Sequence, residues 1–194
     1  MILCDTEIKA VLASGHIVID PPPLPEHFGT SSLDLTLGSG FRRWKRTNVQ
    51  GVTFTIDPSA PDFYPPFAEE YQEVAPVDAG GAASIEPGEL LLVLTEQRIE
   101  LPHESRIAAR IEGRSSLARL GLSVHLTAPT IHSGFKGRVT LEITNQGPHR
   151  IRLCPGLPAC QLIFEMVFGT PSQAMKGIFQ DQTSVAGKRT DSSC

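Results

Sequence analysis

Residues 112–145 read EGRSSLARLGLSVHLTAPTIHSGFKGRVTLEITN, and the two ends of this stretch carry different information. The far end, Val139-Thr140-Leu141-Glu142-Ile143-Thr144, alternates apolar with polar residues and is rich in β-branched side chains. That is the pattern of a half-buried strand, with Val139, Leu141 and Ile143 on one face and Thr140, Glu142 and Thr144 on the other. The near end, Gly113-Arg114-Ser115-Ser116, suits a phosphate. Glycine lets the backbone come close, arginine offers a bidentate fork, and serine adds short donors. Arg119 follows five residues after Arg114, so one short segment carries two guanidinium groups. A carboxylate on a strand beside such a loop is a candidate general base with an anionic ligand nearby. Each end also has a plainer reading. Gly-Arg-Ser-Ser can simply start a turn or a helix, and a lone Glu on a strand can face solvent or pair with a cross-strand cation.

The order and spacing of several motifs resemble the dCTP deaminases, which belong to the trimeric dUTPase superfamily. The central run Gly113–Leu122 (GRSSLARLGL) is followed by Thr127-Ala128, Gly134-Phe135-x-Gly137, then Thr140-Leu141-Glu142 and Asn145. The opening Leu3-Cys4-Asp5-x-Glu7-Ile8, with Gly-x-Ile-x-Ile-Asp-Pro from Gly15, is similar to the N-terminus of that family. So is the spacing from Pro155-Gly156 to Gln161-Leu162. Ser31–Gly38 resembles the first superfamily motif, whose Asp, here Asp34, sits near the trimer's active-site region. The residues alone leave open a plain amphipathic edge strand with Asp34 in solvent.

The resemblance implies an all-β fold with minor helices, a distorted, jelly-roll-like β-barrel of the dUTPase type, assembled as a homotrimer. It implies hydrolytic deamination of dCTP to dUTP and ammonia in pyrimidine deoxynucleotide metabolism. Glu142 would shuttle protons between an attacking water and the cytosine ring and amino group. Ser115 and Arg119 would hold the water and stabilise charge developing at C4, with Arg119 reaching across a subunit boundary. The main chain around Thr140 and Leu141 would read the base edge, while Arg114, Ser116 and Gln161 would contact phosphates and sugar. Leu117, Ala118, His132 and Gln182 complete the implied substrate-binding set. Mg²⁺ would arrive with the triphosphate rather than in a protein cage. Hydrolysis of dUTP, alone or as a second activity, and a catalytically weakened nucleotide-binding protein are the alternative functions; dUTP and dTTP are the further candidate ligands.

Three departures from the family pattern bear on turnover and substrate. His132 stands where an Asp commonly contacts the deoxyribose; it can hydrogen-bond a 3′-hydroxyl but is a poorer anionic partner. Pro129-Thr130 replaces residues that help separate deaminases from deaminase–diphosphatase hybrids. The tail Phe179-Gln180-Asp181-Gln182-Thr183 resembles the family's KYQGQ-G closure, with Ile178 in place of the phosphate-binding Lys and Lys176 as a displaced substitute.

Composition narrows the remaining classes. The chain has 194 residues, 40% of them hydrophobic and 20% charged, which fits one globular domain with a real core. A net charge of −4 with no basic tract argues against a nucleic-acid partner. No apolar run approaches the roughly 20 residues of a membrane helix, and MILCDTEIK lacks a signal-peptide pattern, so a cytoplasmic location is expected. Cys4, Cys154, Cys160 and Cys194 are scattered, as reduced thiols would be. Zinc deaminases carry H-x-E with a later P-C-x-x-C, and neither pattern occurs, so deamination here is expected to proceed without zinc.

Along the chain, short strands outnumber helices. Residues 1–19 read as a helix capped by Asp5 or Thr6, with Ile8, Val11 and Leu12 as its stripe, stopped by Gly15 and followed by a strand. Leu33, Leu35 and Leu37 alternate with Asp34 and Thr36 in another strand, and Phe41–Trp44 suggests a third. The segment from Pro58 to Pro76 reads as an irregular excursion. Glu86-Pro87-Gly88-Glu89 is a type II turn before a buried strand over Leu90–Thr95, with a further strand ending at Glu100-Leu101-Pro102. Ile107–Ile111 leads into the central motif, and Ile151–Leu153 and Gln161–Glu165 follow it as strands. Residues 1–194 form a single domain, of which 169–194 are expected to be a tail that is mobile without ligand.

Overall fold

A strand that alternates apolar and polar residues needs a second layer to cover its apolar side. The computed structural model describes residues 1–45, 55–59, 66–173, 175, 179–182 and 184–185, with the backbone alone at 66–67. The chain opens with α1 (Asp5–Ala13), then β1 (Val18–Asp20), β2 (Leu33–Thr36), β3 (Arg42–Trp44), α2 (Pro66–Tyr71) and β4 (Gln72–Val74). Next come β5 (Ala83–Ile85), β6 (Leu90–Glu100), β7 (Ile107–Gly113), the single turn α3 (Ser115–Ala118), β8 (Leu122–Ser123) and β9 (Thr130–Ile131). β10 (Lys136–Asn145), β11 (Ile151–Leu153) and β12 (Pro158–Met166) follow.

One sheet has the order β4-β3-β6-β10-β8, with β1 also paired to β6; a second has the order β2-β12-β7-β9; β5 and β11 form a separate ribbon. Fully buried Val93, Leu141 and Ile143 from the first sheet join Leu33, Leu35, Leu162 and Phe164 from the second in one core. The two layers are tied where Leu37 bridges Thr95 and the Gly38 N–H donates to the Leu94 carbonyl at 2.9 Å. The chain is mostly β with few helices, and no closed barrel forms among the described residues. The strands that end these two orders, β4, β8, β2 and β9, are two to four residues long and each pairs on one side within its sheet. No helix among the described residues is long and apolar enough to cross a membrane.

Several local expectations change. Cys4, not Asp5 or Thr6, occupies the cap of α1, and its N–H donates to the Glu7 carboxylate at 2.9 Å. Ile8 is buried, and Gly15 ends the turn at φ 75°. The segment read as irregular holds α2 and β4, because β4 finds a partner in β3. The two strands expected between Leu90 and Pro102 are one, β6, which pairs with β10 from Leu90 to Glu100. Glu96 interrupts its apolar run in the sequence, but the pairing with β10 supplies the continuity that hydropathy hides.

Candidate active site

The alternation of β10 places Glu142, Thr140 and Thr144 half-buried on one face, while Val139, Leu141 and Ile143 are buried on the other. β6 covers one edge of β10, but β8 covers the opposite edge only at Thr144 and Asn145. Among the described residues, no strand therefore lies beside the main chain at Thr140–Glu142 on that side. There the segment after β8 crosses, and a cleft of about 440 Å³ opens over the polar face of β10. Leu90, Leu92, Ile111, Ile131, Phe135, Val139 and Trp44 give it apolar walls. Thr140, Glu142, His125, Thr127, Ala128 and Thr130 supply polar groups and backbone, and Met175, Phe179, Gln182 and Val185 come from the tail. A pocket of this size and lining suits a small molecule.

The Glu142 carboxyl is raised above the ordinary value of 4.5, chiefly because burial disfavours its charged form. Opposing this, the main-chain N–H groups of Leu126 and of Glu142 itself favour the charged form, and so does His125 electrostatically. A carboxyl so placed can take a proton and return it. Three polar atoms around the cleft, Thr140 Oγ1, Gln182 Oε1 and His125 Nδ1, are buried without a hydrogen-bond partner. Buried polar atoms in folded proteins are nearly always paired, with protein or with water, so these three need partners that the described side chains and main chain do not supply. Ala128 adds backbone strain at the rim, with φ at 55° in a residue other than glycine.

A second cluster lies at the junction of β7, α3, β2 and β12. Arg114 precedes α3, and its Nη1 donates to Asp34 Oδ2 at 2.9 Å. Gln161 Nε2 donates to Asp34 Oδ1 at 3.1 Å and to Ser32 Oγ at 3.3 Å. The strand register creates this meeting, since Gln161 lies opposite Asp34 on one side and Glu112 on the other. β2 does stand at the edge of its sheet, but Asp34 is 8% exposed, which overturns the reading of its carboxylate as lying in water. Beside it, Cys160 is fully buried; burial first and the Asp34 charge second push its thiol up to about 12.

From this cluster α3 turns outward. Ser115, Ser116, Ala118 and Arg119 are exposed, and Leu117 packs against the core. The turn is pinned to the end of β10 through Gly121, whose φ is 89°. A Cβ there would collide with the Gly147 backbone.

The residues implied by the resemblance thus fall into two groups within one chain. Thr140, Glu142 and Gln182 meet in the cleft. Arg114 and Gln161 meet at Asp34, while Ser115, Ser116, Ala118 and Arg119 project from α3 and none of them lines the cleft. Leu141 lies in the core, so only its main chain can touch a ligand. His132 is exposed just beyond β9 and is not in the cleft wall, although Thr130 and Ile131 are. Lys176, Ile178 and Thr183 lie outside the described residues. Sequence reasoning missed His125, Trp44, Phe135 and Met175. His125 sits in a run without periodicity, and the others read as ordinary apolar residues.

A model of the family described as dCTP deaminase-like matches residues 2–167. A dCTP deaminase of Rhodospirillum rubrum is 38% identical over 179 residues, covering 89% of this chain and 86% of that protein. A protein of Methanobrevibacter smithii named dCTP deaminase, dUMP-forming, is 39% identical over 176 residues, covering 91% and 85%. The solved 2′-deoxycytidine 5′-triphosphate deaminase of Agrobacterium tumefaciens superimposes with a TM-score of 0.62 at 22% identity and shows a similar fold. It covers 85% of this chain, which spans 48%, about half, of that longer one. The chain belongs to the dCTP deaminase-like family.

Proposed function

We propose that this protein deaminates dCTP, with the cytosine ring in the cleft over β10. The carrying observation is Glu142, a partly desolvated carboxylate that lines a largely apolar cleft. In this reading the carboxylate takes a proton from water as the oxygen attacks C4. It passes that proton to the ring nitrogen N3, then carries the remaining proton of the new C4 hydroxyl to the amino group, so that the C4–N bond breaks, ammonia leaves and uracil remains. The uncovered edge of β10 at Thr140–Glu142 offers main-chain groups to the base, and the unpaired Thr140 Oγ1 and Gln182 Oε1 supply further contacts.

Ser115 and Arg119 enter this scheme from a second copy of the chain. They project from α3, and neither lines the cleft that holds Glu142. The proposed assembly is the homotrimer of the dUTPase superfamily, with each site at a subunit boundary. Among the described residues no group of three or more His, Cys, Asp or Glu converges as a metal cage. The proposed Mg²⁺ would therefore ride on the triphosphate, and no step is assigned to it. Zinc has no assigned role, because water activation falls to Glu142.

A second reading concerns the product. Relatives named dCTP deaminase, dUMP-forming, stand beside relatives named dCTP deaminase at similar identity. Release of dUTP is the primary proposal, and further hydrolysis to dUMP and pyrophosphate is the alternative. Purified protein incubated with dCTP and Mg²⁺, followed by nucleotide separation and an ammonia assay, tests both. Ammonia with dUTP supports the first, and ammonia with dUMP and pyrophosphate supports the second. Nucleotide binding without ammonia would leave a binding protein on this fold. Activity should survive removal of zinc; its loss, with restoration by zinc alone, would contradict the assignment of water activation to Glu142.

A further inference from the structure

The segment Phe179–Gln182 runs beside the start of β10 and is held there by its own polar contacts. Gln180 accepts from the Lys136 N–H at 2.7 Å and donates to the Gly134 carbonyl at 2.9 Å. The Asp181 N–H donates to the Lys136 carbonyl at 2.7 Å. Gln182 Nε2 donates to the Arg138 carbonyl at 2.7 Å, which leaves Oε1 in the cleft wall. Gly137 permits this approach, because a Cβ there would lie 3.2 Å from the Asp181 nitrogen.

One contact in the segment is ionic. Arg98 Nη2 donates to Asp181 Oδ1 at 2.7 Å, and Arg98 Nη1 to Glu100 Oε2 at 3.2 Å. Lys136 Nζ also approaches Glu100 Oε2 at 3.6 Å, so the tail carboxylate joins a four-member chain of alternating charge. Asp181 sits at φ 51°, a left-handed conformation that glycine adopts without strain. It holds the place of the glycine in the closure that this tail resembles.

We propose that Asp181 is a positioning residue: its ion pair with Arg98 seats the Phe179–Gln182 segment along β10, so that Gln182 and Phe179 complete the wall of the cleft. Its catalytic consequence rests on the reading of the cleft as a nucleotide site. The seating does not, and a separate probe reads it. Trp44 is the chain's single tryptophan and lines the same cleft as Phe179, Gln182 and Val185.

The experiment measures acrylamide quenching of Trp44 and steady-state kinetics with dCTP, for the full-length protein and for Asp181→Asn, Asp181→Gly and Arg98→Gln. Asparagine tolerates the left-handed backbone and removes the charge, while glycine removes both strain and charge. At low ionic strength all three variants should expose Trp44 to quencher. KM should rise about two- to fivefold, the range of an exposed pair, with kcat within about twofold of the parent. The parent at about 1 M salt, where screening acts within about 3 Å, should approach the variants. The double variant Asp181→Asn/Arg98→Gln should be no worse than either single one. Quenching in Asp181→Asn equal to the parent at low salt would overturn the proposal, as would tighter seating in Asp181→Gly or additive losses in the double variant. Absence of deamination, with the quenching pattern intact, would strike the proposed function and leave the seating standing.

Discussion

The cleft over β10 and the turn at α3 are built on opposite principles. Around the cleft, polar atoms are buried and unpaired: Thr140 Oγ1, Gln182 Oε1 and His125 Nδ1 have no partner, and Glu142 is desolvated. At the other site Arg114, Gln161, Asp34 and Ser32 satisfy one another, while Ser115, Ser116 and Arg119 project into solvent. One region is a receptor short of partners, and the other is a scaffold that presents partners outward. In one chain they do not meet, and the proposed function joins them across two copies.

The strongest way to break this contrast is Glu142→Gln. Glutamine keeps the shape and loses the proton acceptor, so deamination should fall about 10²–10⁴-fold while the fold stays intact. Retention of more than a tenth of the parent rate in a preparation free of parent enzyme would remove Glu142 from the chemistry.

At the scaffold, Asp34→Ala should act on stability first. It leaves the Arg114 guanidinium and the Gln161 amide without their shared acceptor. The cost should be about 1–3 kcal/mol, read from urea or thermal unfolding, discounted because Arg114 is a third exposed. An unchanged midpoint would mean that the cluster does not hold α3 in place.

The smallest effect expected is one of pH. Burial raises the Glu142 carboxyl, so the folded chain binds this proton more tightly than the unfolded one. The stabilisation is present below the ordinary value of 4.5 and is lost as pH rises through the elevated folded value. Glu142→Gln should therefore melt slightly above the parent at neutral pH, with the gap closing in acid. The acid limb of kcat/KM for the parent should lie above 4.5. A Gln variant less stable than the parent at neutral pH would show that the carboxylate is not desolvated.

How much of this was legible in the sequence depended on how local the cause was. Period-two alternation fixed the faces of β10, and with them the company of Glu142 and Thr140. The leucines of β2 were equally plain, but Asp34 was not, because its burial follows from the register that sets Gln161 opposite it. β4 was hidden in a Pro-rich stretch and exists because β3 pairs with it. His125 and Leu126 reach Glu142 only because the chain after β8 crosses the uncovered edge of β10, which no residue pattern announces. The motifs named Arg119 and Glu142 together, yet within one chain the residue from α3 stays outside the cleft of the other.

The most direct measurement mixes inactive Glu142→Gln and inactive Arg119→Ala proteins after reversible dissociation. If the site is completed across a boundary, mixed assemblies contain some interfaces where both native residues meet, and partial activity should return. A monomer by light scattering, or no recovery despite proven subunit exchange, would contradict a shared site and place the whole reaction within one chain.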